Sequence, residues 1–314
     1  MSSIAASVGA ERRVLRIIAG PTGAGKSALA LSLTERHGAR IISADSRQIY
    51  RGFDIGTAKP TAEERDRVAH AGIDVADPTE RWSAMRWARE AEVWLAEDAA
   101  RGRASVVVGG TGLWLQALVR PLAAEPAMDP VRREALQHAL ASLETEELRR
   151  WVLALDPARA HLGRTQLNRA AEVALLSGTR LSDWHARHGT PAPRPARWLI
   201  VDPGPALERR LDARRDAMLA GGWLEEVRAL VHRVPATAPA WNACGYREIR
   251  EVVLGERTLD AATEAVRIAT RQYAKRQRTW FRNQLQEVGE VTRLDPTAPD
   301  AAAVAEHWFS KGLT

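Results

Sequence analysis

Gly20-Pro21-Thr22-Gly23-Ala24-Gly25-Lys26-Ser27 satisfies G-x-x-x-x-G-K-[ST] at every fixed position, and the chemistry of that pattern is phosphate binding. The glycines let backbone N–H groups converge on phosphate oxygens, Lys26 adds a point charge, and the Ser27 hydroxyl can ligate Mg²⁺. Such a loop works only between a strand and a helix, whose N-terminus supplies aligned N–H groups. Val14 to Ala19 (VLRIIA) reads as that strand and Ala28 to Arg36 (ALALSLTER) as that helix.

Two further segments follow apolar runs. Asp45-Ser46-Arg47-Gln48 comes after Arg40 to Ser43 (RIIS), so its carboxylate is expected at the sheet edge beside the loop. There Asp45 could hold Mg²⁺ through water or act as a general base; the alternative is a turn or cap residue. Gly109-Gly110-Thr111-Gly112 comes after Ser105 to Val108 (SVVV), where an ordinary nucleoside triphosphatase carries a metal-binding Asp. Glycines and a threonine hydroxyl at that place argue against triphosphate hydrolysis. They favour close approach of a substrate to bare backbone, or else a plain tight turn.

Charge supplies another signal. Val266 to Leu285 holds no acid and six bases, of which Arg267, Arg271, Lys275, Arg278 and Arg282 share one helical face, with Arg276 beside them. Like charges at this spacing repel, so the pattern fits a polyanion lying along the helix, or else a solvated basic face. Tyr273 and Trp280 could stack on bases or anchor the opposite face. Arg209, Arg210, Arg214 and Arg215 fall on an earlier helix; they can close over phosphates, with Arg210 and Arg214 the expected pair, or form ion pairs with Glu208, Asp212 and Asp216. His185 and His188 lack a third metal ligand nearby and read as surface residues.

These groups need a scaffold, and 314 residues suffice for a large core. The expected fold class is α/β, a parallel sheet like that of the P-loop nucleotide-binding and ATP-binding proteins, flanked by helices and carrying an inserted all-helical domain. The core would span 1–120 plus 194–314 and the insertion 121–193, hung on two proline-rich hinges, Pro121 to Pro130 and Thr190 to Pro195. Helices are expected over Ser83 to Ala100, through Val131 to Arg187 with breaks near Asp156-Pro157 and Ser177-Gly178, and from near Thr258 onward, and Trp198 to Val201 is read as a returning strand. No apolar run reaches the roughly 18–20 residues of a membrane span, the first residues lack a signal-peptide pattern, and the lone Cys244 allows no internal disulfide, so a cytoplasmic protein without membrane contact is expected. A net charge of +6 suggests polyanionic partners, and the eleven tryptophans are expected to fill core and helix-packing positions.

Five stretches together resemble one family, the tRNA dimethylallyltransferases or tRNA isopentenyltransferases. They are GPTGAGKSALA from Gly20, ISADSRQIYRGFDIGTAKP from Ile42, VVGGTGLWLQAL from Val107, ACGYREI from Ala243 and ATRQYAKRQRTWFR from Ala269. The resemblance implies transfer of a dimethylallyl group from dimethylallyl diphosphate to N6 of the adenosine just 3′ of a tRNA anticodon. The loop would hold the donor's diphosphate with Mg²⁺, Asp45 would be the base, and Thr111 would touch diphosphate or adenosine. Contacts with the tRNA anticodon stem-loop are implied for Ser46, Arg47, Gln48, Arg133, Gln166, Leu167, Asn168, Arg169, Cys244, Gly245, Tyr246 and Arg247, and for the stretch Lys275 to Arg282, with Lys275, Arg276, Arg278, Trp280 and Arg282 foremost; Arg271 joins them from the basic face. The working form is expected to be a monomer.

The chain departs from the family pattern twice. The usual HHLID segment reads His70-Ala71-Gly72-Ile73-Asp74. In the insertion, an R-I-H-P-N-D stretch is missing between Asp156 and Gln166, which itself replaces the first Arg of the family's contact helix. A kinase of the P-loop class lacks an explanation for the missing strand-end acid. An enzyme prenylating free adenine nucleotides leaves the basic helix idle, and a non-catalytic RNA-binding protein leaves Asp45 and Thr111 idle.

Overall fold

The structure is a computed structural model that describes residues 14–120, 126–188, 193–285 and 289–311. The chain forms two compact units, Met1–Val119 with Pro193–Thr314 and Arg120–Ala192. Of the two proline-rich hinges, positions 121–125 and 190–192 lie outside the described residues.

The larger unit is built on six parallel strands, β1 (Leu15–Ala19), β2 (Arg40–Ser43), β3 (His70–Ala71), β4 (Ser105–Gly109), β5 (Ala196–Val201) and β6 (Glu290–Leu294), in the order β3-β2-β4-β1-β5-β6. The central strands are apolar on both sides, as a sheet covered on both faces requires. Ile17, Val107, Trp198 and Ile200 enter one core with Trp87, Trp114, Phe53 and Tyr246, while Ile18, Val106, Val108 and Leu199 enter a second with Leu33, Trp308 and Phe309. The period of two thus feeds two layers from one set of strands. Most of the tryptophans do serve packing: Trp87, Trp114, Trp198, Trp223, Trp241 and Trp308 are buried. Trp87 also donates its indole N–H to Ser43 O at 3.0 Å, fixing the end of β2.

Helices α1 (Lys26–His37), α2 (Ala62–Arg67), α3 (Ala84–Ala100) and α4 (Gly112–Val119) follow β1 to β4 in the first half. Ser83 caps α3 by accepting from Arg86 N, and Trp87 and Ala91 lie buried on its core face. Between α4 and β5 lie the four helices of the smaller unit. That unit comprises α5 (Pro130–Ala141), α6 (Thr145–Leu155), α7 (Arg164–Ser177) and α8 (Leu181–His188). The reading of unbroken helix from Val131 to Asp156 is corrected here, because the chain leaves the helix between Ala141 and Thr145. Arg164 caps that break, donating to Leu143 O at 2.7 Å and Ala141 O at 3.2 Å. Beyond β5 run α9 (Leu207–Ala220), α10 (Trp223–Val231), α11 (Tyr246–Val253) and α12 (Leu259–Asn283), which Thr258 caps, and then α13 (Ala301–Ser310). Among the described residues no helix is long and apolar enough to cross a membrane.

The smaller unit has its own core of Leu140, Leu148, Val152, Leu167, Ala170 and Ala171. Leu167 is fully buried there, which corrects its expected place among RNA-contacting side chains: it packs and cannot reach a ligand. Arg133 and Arg169 both pair with the buried Glu172, at 3.2 and 2.7 Å. Gln166 is exposed and Asn168 half-buried. Leu167→Ala is expected to cost roughly 3 kcal/mol, read as lost hydrogen-exchange protection in α6 and α7; unchanged protection would return Leu167 to the RNA-contacting set.

Candidate active site

At the carboxyl edge of the sheet lies a cavity of about 710 Å³, lined by the loops after β1, β2 and β4 and by α9 and α12. The loop after β1 begins at Gly20, where a Cβ would stand 2.1 Å from Val201 O, so β5 packs directly on its backbone. It ends at Gly25, with φ 96°, which enters α1 without a side-chain cap and leaves the first-turn N–H groups unclaimed by side chains. The Lys26 ammonium turns back to Pro21 O at 2.7 Å. Burial, reinforced by the Arg214 guanidinium and opposed by Asp45, lowers its pKa to about 8.

Two arginines of α9 line this cavity. Arg210 Nε donates to Gly23 O at 3.0 Å, and Arg214 lines the cavity while donating to Thr57 O at 3.4 Å. Burial lowers the Arg214 pKa, against the pull of Asp45. Arg215 turns away to Asp212 and Asp216, at 3.2 and 2.7 Å. The two uses open to these arginines are therefore divided by helical position, with residues four apart facing the cavity.

Asp45 forms a turn and also faces the cavity. One carboxylate oxygen accepts from Arg47 N at 2.8 Å, forming a turn, and the other has no hydrogen-bond partner among the described residues. Asp45 lines the cavity and also a smaller adjoining pocket of about 70 Å³, whose walls include Leu211, Met218, Trp223, Val266 and Tyr273. Thr111 Oγ1 accepts from Ser46 N at 3.1 Å, tying the loop after β4 to the loop after β2. The expectation of bare backbone at the end of β4 needs correction in part. A Cβ on Gly109 would meet Ala44 O at 2.2 Å and one on Gly110 would meet Gln277 Nε2 at 2.3 Å, so protein groups claim that approach.

Several residues expected to touch RNA have internal work. Gln48 accepts from Ser43 Oγ at 3.1 Å and donates to Thr57 O and Ala58 O, at 3.2 and 3.0 Å, pinning the Asp54 to Pro60 loop. Lys59 of that loop is buried and bonds Asp54 and Asp74, at 2.6 and 2.5 Å. Gly245 and Tyr246 are buried, and the Tyr246 hydroxyl donates to Glu226 Oε1 at 2.6 Å while accepting from Gly56 N at 3.1 Å. Tyr246 is thus a core residue, in correction of its expected role. Arg247 is exposed, and Cys244 Sγ sits 3.4 Å from Thr270 Oγ1.

The basic helix α12 needs the largest correction. Its sequence is free of acids from Val266 on, yet acids reach these bases, two from α9, one from the end of β5 and Glu264 from the helix's own first half. Arg278 pairs with Asp202 at 2.5 Å, Arg271 with Asp212 at 2.8 Å and Glu208 at 3.1 Å, and Arg267 with Glu264. Among the described residues Lys275, Arg276 and Arg282 have no carboxylate within ion-pair distance. Lys275, Arg276 and Trp280 line an open groove of about 510 Å³ along the helix, with Gln272 and Asn283. Tyr273 and Gln277, one turn apart, face the main cavity. Burial first and the Asp45 charge second push the Tyr273 hydroxyl pKa up, so it stays protonated. Gln277 lies in the Lys275 to Arg282 stretch that the resemblance assigns to RNA contact, yet its side chain faces the cavity. Among the described residues no three His, Cys, Asp or Glu side chains cluster as a metal site; His185 contacts Arg159 and His188 stacks on Trp184.

Comparison with known proteins agrees with this geometry. The family model of IPP transferase matches residues 48–284, and that of isopentenyl transferase residues 13–73. A tRNA dimethylallyltransferase of Anaeromyxobacter sp. (strain Fw109-5) is 45% identical over 276 residues, 86% of this chain and 92% of the relative. One of Halorhodospira halophila is 45% identical over 304 residues, 94% of this chain and 96% of the relative. Among solved structures, the tRNA isopentenylpyrophosphate transferase of Bacillus halodurans superimposes with a TM-score of 0.68 at 30% identity, covering 96% of each chain. A eukaryotic dimethylallyltransferase acting on tRNA reaches a TM-score of 0.78 at 25% identity, covering 93% of this chain and 77% of that one. With its phosphate loop, the cavity that Asp45 lines and the basic helix all inside the matched span, this chain belongs to the tRNA dimethylallyltransferase family.

Proposed function

We propose that this protein transfers a dimethylallyl group from dimethylallyl diphosphate to N6 of the adenosine 3′-adjacent to the anticodon of tRNA, releasing diphosphate. The observation that carries the reading is a phosphate loop sharing one cavity with a half-free carboxylate, Asp45, and with no acid at the end of β4. An adenine amine is a weak nucleophile, its lone pair being delocalised into the ring. Catalysis then comes from positioning, from removal of the amine proton as the C–N bond forms, and from stabilising charge on the departing diphosphate.

Each part has a residue. The loop N–H groups, Lys26, Arg210 and Arg214 receive the diphosphate, and the unpartnered oxygen of Asp45 takes the amine proton. Thr111, held by Ser46 N, fixes the wall between them. Mg²⁺ fits such a site, since it keeps most of its waters and asks the protein for one or two oxygen ligands. Ser27, at the start of α1, is the ligand offered, and the ion bound there would neutralise diphosphate charge. The adenosine must leave its stack to enter the cavity, at a cost of a few kcal/mol. Lys275, Arg276 and Arg282 supply cations for the RNA backbone, with Trp280 a stacking surface in the groove that Lys275 and Arg276 line. We place the protein in the cytoplasm as a monomer, with Gln166 and Arg247 the exposed members of the remaining contact set.

The decisive assay incubates the protein with Mg²⁺, labelled dimethylallyl diphosphate and unmodified tRNA whose anticodon loop carries consecutive adenosines. Label in the tRNA is expected, whereas no label together with phosphate transfer from ATP would refute the reading. In the same assay Asp45→Asn is expected to lose roughly 10²-fold or more in kcat while keeping its tRNA Kd; near-normal kcat would remove the general-base role.

The lowered pKa of Lys26 sets a pH dependence. In the folded protein Lys26 loses its proton near pH 8 rather than 10.5, so burying it charged costs stability below about pH 8, a cost relieved as pH rises. Diphosphate favours the charged form. Its affinity should therefore be full below about pH 8 and fall as pH rises through that value, an effect that Lys26→Met abolishes. Titration calorimetry of diphosphate with Mg²⁺ checks this, and parallel profiles for the two proteins would contradict it. Reversing the charge of Lys275, Arg276 and Arg282 together is expected to weaken tRNA binding and shrink its salt slope by roughly one unit per lost phosphate contact. An unchanged slope would leave these three as a solvated face.

A further inference from the structure

The side chain of Gln277 bonds two loops of the cavity wall at once. It lies on α12 with 7% of its surface exposed, a buried carboxamide with both ends engaged. Its Oε1 accepts from Thr22 N at 2.8 Å, inside the phosphate loop. Its Nε2 donates to Gly110 O at 2.9 Å, in the loop after β4. A Cβ at position 110 would stand 2.3 Å from Nε2, so the bridge needs glycine there. Gln277 also lines the cavity, one helical turn from Tyr273.

The bridge has a chemical consequence. A phosphate loop binds by aiming N–H groups at an anion, and each must point the right way before the anion arrives. With Thr22 N–H claimed by a fixed acceptor, that peptide plane is locked, and with it the entry into Gly23 and Ala24. The amide at position 277 has one donor end and one acceptor end, matching one N–H and one carbonyl, whereas a carboxylate or an apolar side chain cannot match both. We propose that Gln277 is a positioning residue for the phosphate loop, presetting its backbone for diphosphate by clamping it to the loop after β4. The proposal rests on reading that loop as the diphosphate site. It also ties the cavity to α12, the helix that carries Lys275 and Arg276 along its open groove.

The test measures binding of inorganic diphosphate with Mg²⁺ to the full chain by calorimetry, together with KM for dimethylallyl diphosphate and for tRNA. Gln277→Met removes both bonds and should raise the diphosphate Kd and the donor KM about tenfold or more, with the tRNA KM within about twofold of wild type. Gln277→Glu keeps the acceptor for Thr22 N but sets a carboxylate against Gly110 O. It should bind poorly at pH 8 and recover as pH falls and the introduced carboxyl group gains a proton to donate, a recovery that Gln277→Met does not share. Gly110→Ala, which displaces the carboxamide from the other end, should copy Gln277→Met and serves if that variant does not fold. Wild-type diphosphate affinity in Gln277→Met and Gly110→Ala, or an equal rise in both KM values with a lowered Tm, would overturn the proposal and leave Gln277 a packing residue. If wild type itself binds no diphosphate, the reading of the loop fails and the proposal falls with it.

Discussion

Backbone packed directly on backbone at the carboxyl edge of the sheet is the constraint on which the rest of this structure depends. At the end of β4 a Cβ on Gly109 would lie 2.2 Å from Ala44 O, and at the end of β1 one on Gly20 would lie 2.1 Å from Val201 O. No side chain fits between these strand ends, so the acid that a nucleoside triphosphatase carries there is excluded by packing. The charge of an anion in the cavity must then be answered by cations, and Lys26, Arg210 and Arg214 surround the loop that would hold it. The carboxylate comes instead from Asp45, one strand further along the sheet, where it faces the cavity without ending in the phosphate loop. A fold used elsewhere for hydrolysis is thereby suited to holding a leaving group opposite a base.

Electrostatics of the basic helix follow the same theme of economy. Asp202, Glu208 and Asp212 engage Arg278 and Arg271, which fastens α12 to the segment after β5 that also carries Arg210 and Arg214. Half-exposed pairs of this kind are worth little energy, but they set the direction in which the remaining cations point. Lys275, Arg276 and Arg282 stay free of carboxylates among the described residues and so keep their charge for a polyanion. One helix can then present cations outward and Gln277 and Tyr273 inward.

What was legible in the sequence was what local patterning encodes. The apolar runs RIIS and SVVV named β2 and β4, the glycine-rich octapeptide named its strand and helix, and Thr258 marked the start of α12. Two strands escaped notice, because β3 is two residues long and β6 is a half-exposed edge strand reading EVTRL. Proximity was legible where one motif carries its own neighbours: Lys26 and Asp45 do line one cavity, and Thr111 bonds the loop that carries Asp45. It was not legible where the partners lie far along the chain: Gln277 bonds residues 255 and 167 positions away. Burial misled in the same way. Leu167 and Tyr246 sit in motifs shared with the family, yet their side chains are core, and a motif does not say whether its residues face inward.

The central claim is that the phosphate loop serves a prenyl diphosphate rather than a nucleotide. Competition at the loop tests it most directly: with Mg²⁺ present, the protein is titrated with a non-hydrolysable dimethylallyl diphosphate analogue, alone and against ATP. The analogue is expected to bind with an affinity that Lys26→Met abolishes, and ATP at equal concentration is expected to leave it in place. Tight ATP binding that displaces the analogue, or no binding of the analogue at all, would contradict the account.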